Sequence, residues 1–235
     1  MRLEIKNIKK TFEKKEVLKD VSYVFESGKI YGLLGRNGAG KTTFFNCVNK
    51  DLIPDQGSIT LDGRLLTPDD IGYVVSTPVV PAFLTAREFL QFFIDINKKS
   101  IKDLRPIDEY FDMVGIKMED RNKLLNDYSH GMKTKMQVII NVIANINVLL
   151  LDEPLTALDV VAAEEMKKLL RAQKDERIMI FSTHIMELAL TLCDEIVLLK
   201  DGHFEMLNLH DAEGNKLSDE AIRDTIISAL KDGEE

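Results

Sequence analysis

The sequence predicts an α/β fold: a mainly parallel sheet, preceded by an antiparallel β ribbon and interrupted by an inserted helical region. Three observations carry this reading. A short apolar run, Ile30 to Leu34, passes at once into a glycine-rich turn and then into a helical pattern bearing Phe44, Phe45 and Val48, the order strand, loop, helix. Apolar runs return at Val148 to Leu151, Ile178 to Phe181 and Ile196 to Leu199, with a helical stretch holding Ala163, Met166, Leu169 and Leu170 between the first two. Such crossovers make neighbouring strands parallel. Between these two groups, residues 84–146 read as helix almost throughout.

The elements follow in order. Arg2 to Ile8 and Val21 to Phe25 alternate apolar and polar residues, the period of an antiparallel ribbon, and Ile59 to Leu61 and Ile71 to Val75 are further strand candidates. At Thr85 the period changes. Thr85 and Glu88 form a capping box, and Phe89, Phe92, Phe93 and Ile96 fall on one helical stripe. The helical region runs on through Tyr110, Phe111 and Val114, breaks near Gly115, and resumes after Gly131 with Met132, Met136, Ile139, Ile140 and Ile143 on one face. Beyond Gly202, Phe204 to Leu209 reads as a strand, Ser218 caps a short helix to Leu230, and Asp232 to Glu235 read as a frayed acidic end. The expected organisation is one domain: residues 1–83 and 147–204 as core with β subdomain, 84–146 as helical subdomain, and 205–235 as tail.

Composition narrows the function. At 235 residues and 45% hydrophobic content the chain can bury a full core, which excludes disordered and fibrous classes. No stretch approaches the roughly 20 apolar residues of a spanning helix, and the start resembles a strand more than a secretory signal, so a cytoplasmic protein without direct membrane insertion is expected. Cys47 and Cys193 sit among apolar residues and read as buried, inert thiols. A net charge of -8 opposes nonspecific attraction to nucleic acid or anionic lipid.

Gly35-Arg36-Asn37-Gly38-Ala39-Gly40-Lys41-Thr42 fits the pattern G-x-x-x-x-G-K-S/T in the strand-turn-helix setting that gives it meaning. The glycines let backbone N–H groups converge on an anion, and the helix starting near Lys41 adds its positive end. Lys41 is therefore expected to bridge β- and γ-phosphates, Thr42 to ligate Mg2+, and Thr43 to reach the α-phosphate, which makes the core that of a P-loop NTPase. Asp152 and Glu153 follow a wholly apolar strand, at the carboxyl edge where ligands of such sheets collect. Asp152 suits an Mg2+ contact and Glu153 a general base, although two acids and Pro154 would also suit an acidic helix cap.

With these motifs the chain resembles the nucleotide-binding subunit of ATP-binding-cassette proteins over about residues 1–204. Tyr128-Ser129-His130-Gly131-Met132 is similar to the family signature Leu-Ser-Gly-Gly-Gln; Ser129 and Gly131 match, while His130 and Met132 depart. The resemblance implies that Ser129 and Gly131 face the γ-phosphate held by a second copy, so that two subunits sandwich two ATP molecules; taken alone they would be a helix cap. It implies that Asp159, in Ala157-Leu158-Asp159, belongs to a loop crossing the dimer interface, with a plain helix cap as the alternative. It places His184 as the switch histidine that holds the attacking water with Glu153, and Phe12 as the ring stacking on adenine, where core packing is the other reading.

Where the family carries glutamine or glutamate, this chain has Ser76, too short to reach as far toward the metal. The resemblance also makes Thr77 to Phe83 a candidate dock for a separate transmembrane permease, with a buried loop as the other reading. The implied function is MgATP binding and hydrolysis by a homodimer on the inner face of the membrane, powering transport. The wording of the phosphate loop and signature is most similar to bacterial exporters. Two other readings stay open: a nucleotide switch with little or no hydrolysis, and a soluble cassette outside transport. A GTPase is disfavoured because no Asn-Lys-x-Asp segment is present: Asn97-Lys98-Lys99-Ser100 lacks the acid.

Overall fold

The computed structural model describes residues 1–99, 101, 103–207, 209 and 217–231. Strand β1 (Arg2–Phe12) turns at once into its antiparallel partner β2 (Lys15–Glu26). Strand β3 (Ile30–Leu34) follows, then helix α1 (Lys41–Val48), β4 (Gln56–Leu61), the two-residue β5 (Arg64–Leu65) and β6 (Ile71–Val74). Helices α2 (Ala86–Asn97), α3 (Ile107–Met113) and α4 (His130–Ile143) come next. Strand β7 (Val148–Asp152), helix α5 (Val160–Gln173), β8 (Ile178–Thr183), α6 (Met186–Leu192), β9 (Glu195–Lys200), β10 (His203–Leu207) and α7 (Asp219–Lys231) complete the described chain.

The strands form two sheets, one of order β2-β1-β4-β5 and one of order β10-β9-β3-β8-β7-β6. The first is antiparallel; in the second every neighbouring pair is parallel except β9 with β10. All five residues of β7 are buried, as a strand covered on both faces requires. Val148 and Leu150 point into a core shared with Leu3, Ile5, Phe44 and Phe45, while Leu149 and Leu151 pack with Leu90, Val138 and Met166 from the helices. The period-2 alternation of the strand thus separates two cores. As a result, α1 and the antiparallel sheet cover one face of the parallel sheet and the remaining helices cover the other.

The capping box at the start of α2 is present: Thr85 Oγ1 accepts from the Glu88 N–H at 3.2 Å and Glu88 Oε2 from the Thr85 N–H at 2.8 Å. The buried face of this helix differs from the expected stripe. Ala86, Leu90 and Ile94 face the core, while Phe92 and Ile96 remain 57% and 64% exposed. Half of the expected stripe does pack inward: Phe89 and Phe93 are partly buried against the core, whereas Phe92 and Ile96 point away from it. Helix α4 also begins earlier than expected, at His130, because Ser129 caps it through the Met132 N–H at 3.2 Å. In α5 the buried alanine is Ala162, with Ala163 at the edge of the core.

In the tail, Ser218 caps α7 through the Ala221 N–H, and Ile222 and Ile226 are buried against the helical core. The strand expected to reach Leu209 ends at Leu207; residue 208, the acidic end 232–235 and Ser100 lie outside the described residues. Both cysteines are buried, which pushes the Cys47 thiol up to about 11 and raises that of Cys193 as well, keeping both protonated and unreactive. Among the described residues no helix is long and apolar enough to cross a membrane.

Candidate active site

The loop from Gly35 to Gly40 leaves the carboxyl end of β3 and hands over to α1 at Lys41. The hand-over needs glycine at position 40: its φ of 107° is left-handed, and a Cβ there would stand 2.8 Å from Val17 Cγ1. Lys41 is buried, and its Nζ donates to the carbonyls of Gly35 at 2.7 Å and Arg36 at 3.2 Å, so the ammonium is held under the curl of the loop. Burial holds its pKa below the ordinary lysine value, opposed by the negative charges of Glu153 and Asp152. A cation so placed gains from any polyphosphate entering beside it.

The acids arrive on β7. Its parallel register sets Asp152 beside Ser182 of β8, whose hydroxyl donates to Asp152 Oδ1. Asp152 Oδ2 accepts from Thr42 Oγ1 at 3.3 Å and from the Tyr73 hydroxyl at 3.4 Å. Burial first, and then the charge of Asp152, raise the Tyr73 pKa, so this hydroxyl stays a neutral donor. Immediately after the strand, Glu153 adopts φ 52°, a left-handed conformation uncommon outside glycine, while its N–H donates to the Ser182 carbonyl at 3.1 Å. That turn delivers the carboxylate to His184, whose Nδ1 lies 2.6 Å from Glu153 Oε1.

Of the expected site residues, Phe12, Asn37, Gly38, Gly40, Lys41, Thr42, Thr43, Ser76, Asp152 and Glu153 line one cleft of about 400 Å3. Gly35 and Ala39 belong to the same loop but do not line this cleft; Ala39 lines the adjoining hollow with Arg36, Asn37 and Gly38. Phe12 is 42% exposed at the cleft and not part of the core, with Lys10 Nζ 5.7 Å from its ring centroid.

A family model described as ABC transporter matches residues 18–156 of the chain. The chain belongs to the ABC transporter family. It is similar to the uncharacterized ABC transporter ATP-binding protein YxlF of Bacillus subtilis, 33% identical over 204 residues that cover 85% of this chain and 68% of the relative. It is likewise similar to the ABC transporter ATP-binding protein NatA of the same organism, 31% identical over 204 residues, 81% of this chain and 82% of the relative. Among solved structures, the ATP-binding subunit of an ABC transporter superposes with a TM-score of 0.81 at 23% identity, covering 97% of this chain and 100% of that one. A dimeric ATP-binding cassette in a post-hydrolysis state, bound to ADP and Pi, superposes with a TM-score of 0.77 at 22% identity over 89% of this chain and 99% of that one. The last two establish a shared fold. As a member of the ATP-binding subunits of this family, the chain is an ATPase.

Not every expected residue of the cassette meets in the cleft. Ser129 and Gly131 form the tip of α4, where Ser129 caps the helix and Gly131 packs so closely on the next motif that a Cβ would stand 2.7 Å from the Ala157 carbonyl oxygen. Asp159 caps α5 by accepting from the Ala162 N–H at 2.9 Å, and that bond holds its carboxyl below the usual range. Both segments are therefore helix caps within the single chain.

Three contacts of the cassette went unread in the sequence: Ser182 and Tyr73 on Asp152, and His130, whose Nε2 donates to the Ser76 carbonyl at 2.9 Å. Ser182 carries a signal, as a hydroxyl that directly follows the apolar run Ile178 to Phe181. For Mg2+, the Asp152 carboxylate and the Thr42 hydroxyl offer hard oxygen donors that fit an ion keeping several waters and completing its shell with substrate phosphates. Among the described residues no group of three or more His, Cys, Asp or Glu side chains forms a metal cage.

Proposed function

We propose that two copies of this chain close head to tail on two MgATP molecules, hydrolyse them, and pass the opening and closing motion to a separate transmembrane permease, in an exporter. The observation that carries this is the division of the phosphate-binding parts. Lys41, Thr42, Asp152 and Glu153 line the cleft, whereas Ser129 and Gly131 sit on a helix tip apart from it. A helix N-terminus with a serine hydroxyl is an anion site, and it serves a phosphate in this arrangement only if a second subunit supplies the phosphate.

In this reading Phe12 stacks on adenine and the backbone of Gly35, Asn37, Gly38, Ala39 and Gly40 cradles the phosphates with Lys41 and Thr43. Glu153 accepts the proton of the attacking water, and His184, paired to it, orients the carboxylate and the γ-phosphate. Thr42 and Asp152, with Ser76 on the rim, would hold Mg2+, which when bound neutralises charge on the β- and γ-phosphates. Asp159 crosses the dimer interface. Residues 84–146 form the subdomain that carries the Ser129 tip, 1–83 and 147–204 the nucleotide core, and 205–235 the tail.

The permease dock is the segment after Ser76. Val79 and Phe83 are each 80% exposed, and Pro81, Phe83, Leu84, Glu88, Phe89 and Phe92 line an apolar hollow of about 520 Å3. Exposed apolar surface of this kind suits a helix of a protein partner, and would hold the ATPase on the inner face of the membrane. The bacitracin transport ATP-binding protein BcrA of Enterococcus faecalis, 28% identical over 218 residues, supports a role in transport.

The test is steady-state phosphate release with size-exclusion chromatography. MgATP turnover lost in Lys41→Ala, together with an ATP-dependent dimer trapped by Glu153→Gln, supports the reading. A Glu153→Gln chain that turns over at the unmodified rate refutes it.

A further inference from the structure

Helix α4 is fastened along its length to β6 and the loop that follows. At its tip, His130 Nε2 donates to the Ser76 carbonyl at 2.9 Å. Two turns further, Gln137 Nε2 donates to the Val79 carbonyl at 3.4 Å, and beyond it Asn141 fills the space where a side chain on residue 72 would stand. The helix and the loop are thus held to move together.

The two ends of the first bond belong to different nucleotide sites. Ser76 lines the cleft of its own chain. His130 lies between Ser129 and Gly131, the tip that in the proposed dimer meets the nucleotide of the partner. The accepting carbonyl requires a proton on Nε2, so this nitrogen acts as the donor in the bond. In the Leu-Ser-Gly-Gly-Gln pattern position 130 is glycine, which has no side chain to make such a bond.

We propose that His130 is a positioning residue that couples the two nucleotide sites. When nucleotide enters the cleft of one chain and shifts the Ser76 loop, the His130 bond carries that shift to the Ser129–Gly131 tip over the partner's nucleotide. Coupling energies of this kind change affinity roughly 5-fold or more. Two identical sites coupled about 5-fold give a Hill coefficient of about 1.4. The inference rests on the head-to-tail dimer of the preceding subsection.

The test measures phosphate release against MgATP concentration, with protein concentration high enough to keep the chain dimeric. It compares the unmodified chain with His130→Gly and with His130→Gln, whose amide N–H reaches about as far as imidazole Nε2–H. A coefficient of about 1.4 in the unmodified chain and in His130→Gln, falling to about 1 in His130→Gly with unchanged melting temperature, supports the proposal. Equal coefficients in the unmodified chain and His130→Gly overturn it, as does a coefficient of 1 in the unmodified chain. Absence of phosphate release from all three chains refutes the hydrolytic dimer itself, and the coupling with it.

Discussion

His184 and Glu153, 31 residues apart, meet with Nδ1 and Oε1 2.6 Å apart because β7 and β8 are parallel neighbours that end at the same edge of the sheet. The left-handed turn at Glu153 and the end of β8 aim the two side chains at each other. A carboxylate held by an imidazole is limited in its rotation, so it can accept a proton from one direction without first paying to be ordered.

The pairing separates the two proposed roles, Glu153 as general base and His184 as the group that orients it. Glu153→Gln should lower kcat by about 100- to 10,000-fold, the range of a lost general base, while leaving ATP affinity near its unmodified value. His184→Ala should lower kcat by less, about 10- to 100-fold, because the base remains but is no longer oriented. Single-turnover hydrolysis together with fluorescent-nucleotide titration measures both. Equal losses in the two variants would mean that histidine does more than orient.

Asp152 is the second residue whose setting makes a prediction. Ser182, Thr42 and Tyr73 all donate to its carboxylate and fix its direction beside the phosphate loop. Partners that orient a metal ligand are typically worth about 10- to 100-fold in metal affinity. Ser182→Ala and Tyr73→Phe should therefore each raise the Mg2+ concentration needed for half-maximal hydrolysis by about 10-fold, with little change in nucleotide binding in the absence of Mg2+. A magnesium titration of the ATPase rate at fixed total ATP reads this out.

How much of this was legible depends on how far a contact reaches along the chain. The phosphate loop lies within eight consecutive residues, Gly35 to Thr42, so its strand, turn and helix could be read directly. The ring of donors on Asp152 could not, since Ser182 is 30 residues away and Tyr73 is 79, and only the strand register brings them in. The bond from His130 to Ser76 spans 54 residues and is hidden for the same reason. On α2 the aromatic stripe was visible, but periodicity reports that an apolar face exists and not what covers it. Phe92 and Ile96 face outward because Leu90 and Ile94 already fill the inner side.

The junction of the antiparallel sheet with β6 predicts an acid-sensitive step. Asp70 is buried, accepts both guanidinium nitrogens of Arg64 at 2.5 and 2.6 Å, and also accepts from Thr67 and Asn147. The Arg64 bonds hold its carboxyl well below the usual range, in spite of burial. A carboxyl with a lower pKa in the folded chain stabilises the fold above its unfolded pKa near 4, and that contribution is lost as pH falls below it. Asp70→Asn should cost about 2 kcal/mol at pH 7, the scale of a charged hydrogen bond. For a chain of this size that lowers the melting temperature by roughly 4–8 °C. Melting curves from pH 7 down to pH 3 should show the difference between the two proteins shrinking once the pH falls below about 4, where the carboxyl of the unfolded chain takes up a proton while the native one stays ionised.

The outward side of α2 bears on the proposed permease. Phe83 is 80% exposed and Phe92 57% exposed, and both line the hollow of about 520 Å3 that Glu88 borders. A charge placed in an apolar contact is desolvated without a partner when the surface is covered, whereas on the free chain it stays in water. Phe83→Asp and Phe92→Asp should therefore leave the melting temperature and the ATPase rate of the isolated chain within error of unmodified values. In membranes the same substitutions should abolish co-purification of the chain with an integral membrane protein, a loss of about 100-fold or more for an anchor residue worth 3 kcal/mol. The comparison that decides is Ile53→Asp, at a residue 82% exposed outside this hollow, which should co-purify as before. If all three variants lose the membrane partner together, or none does, the partner binds elsewhere on the subunit.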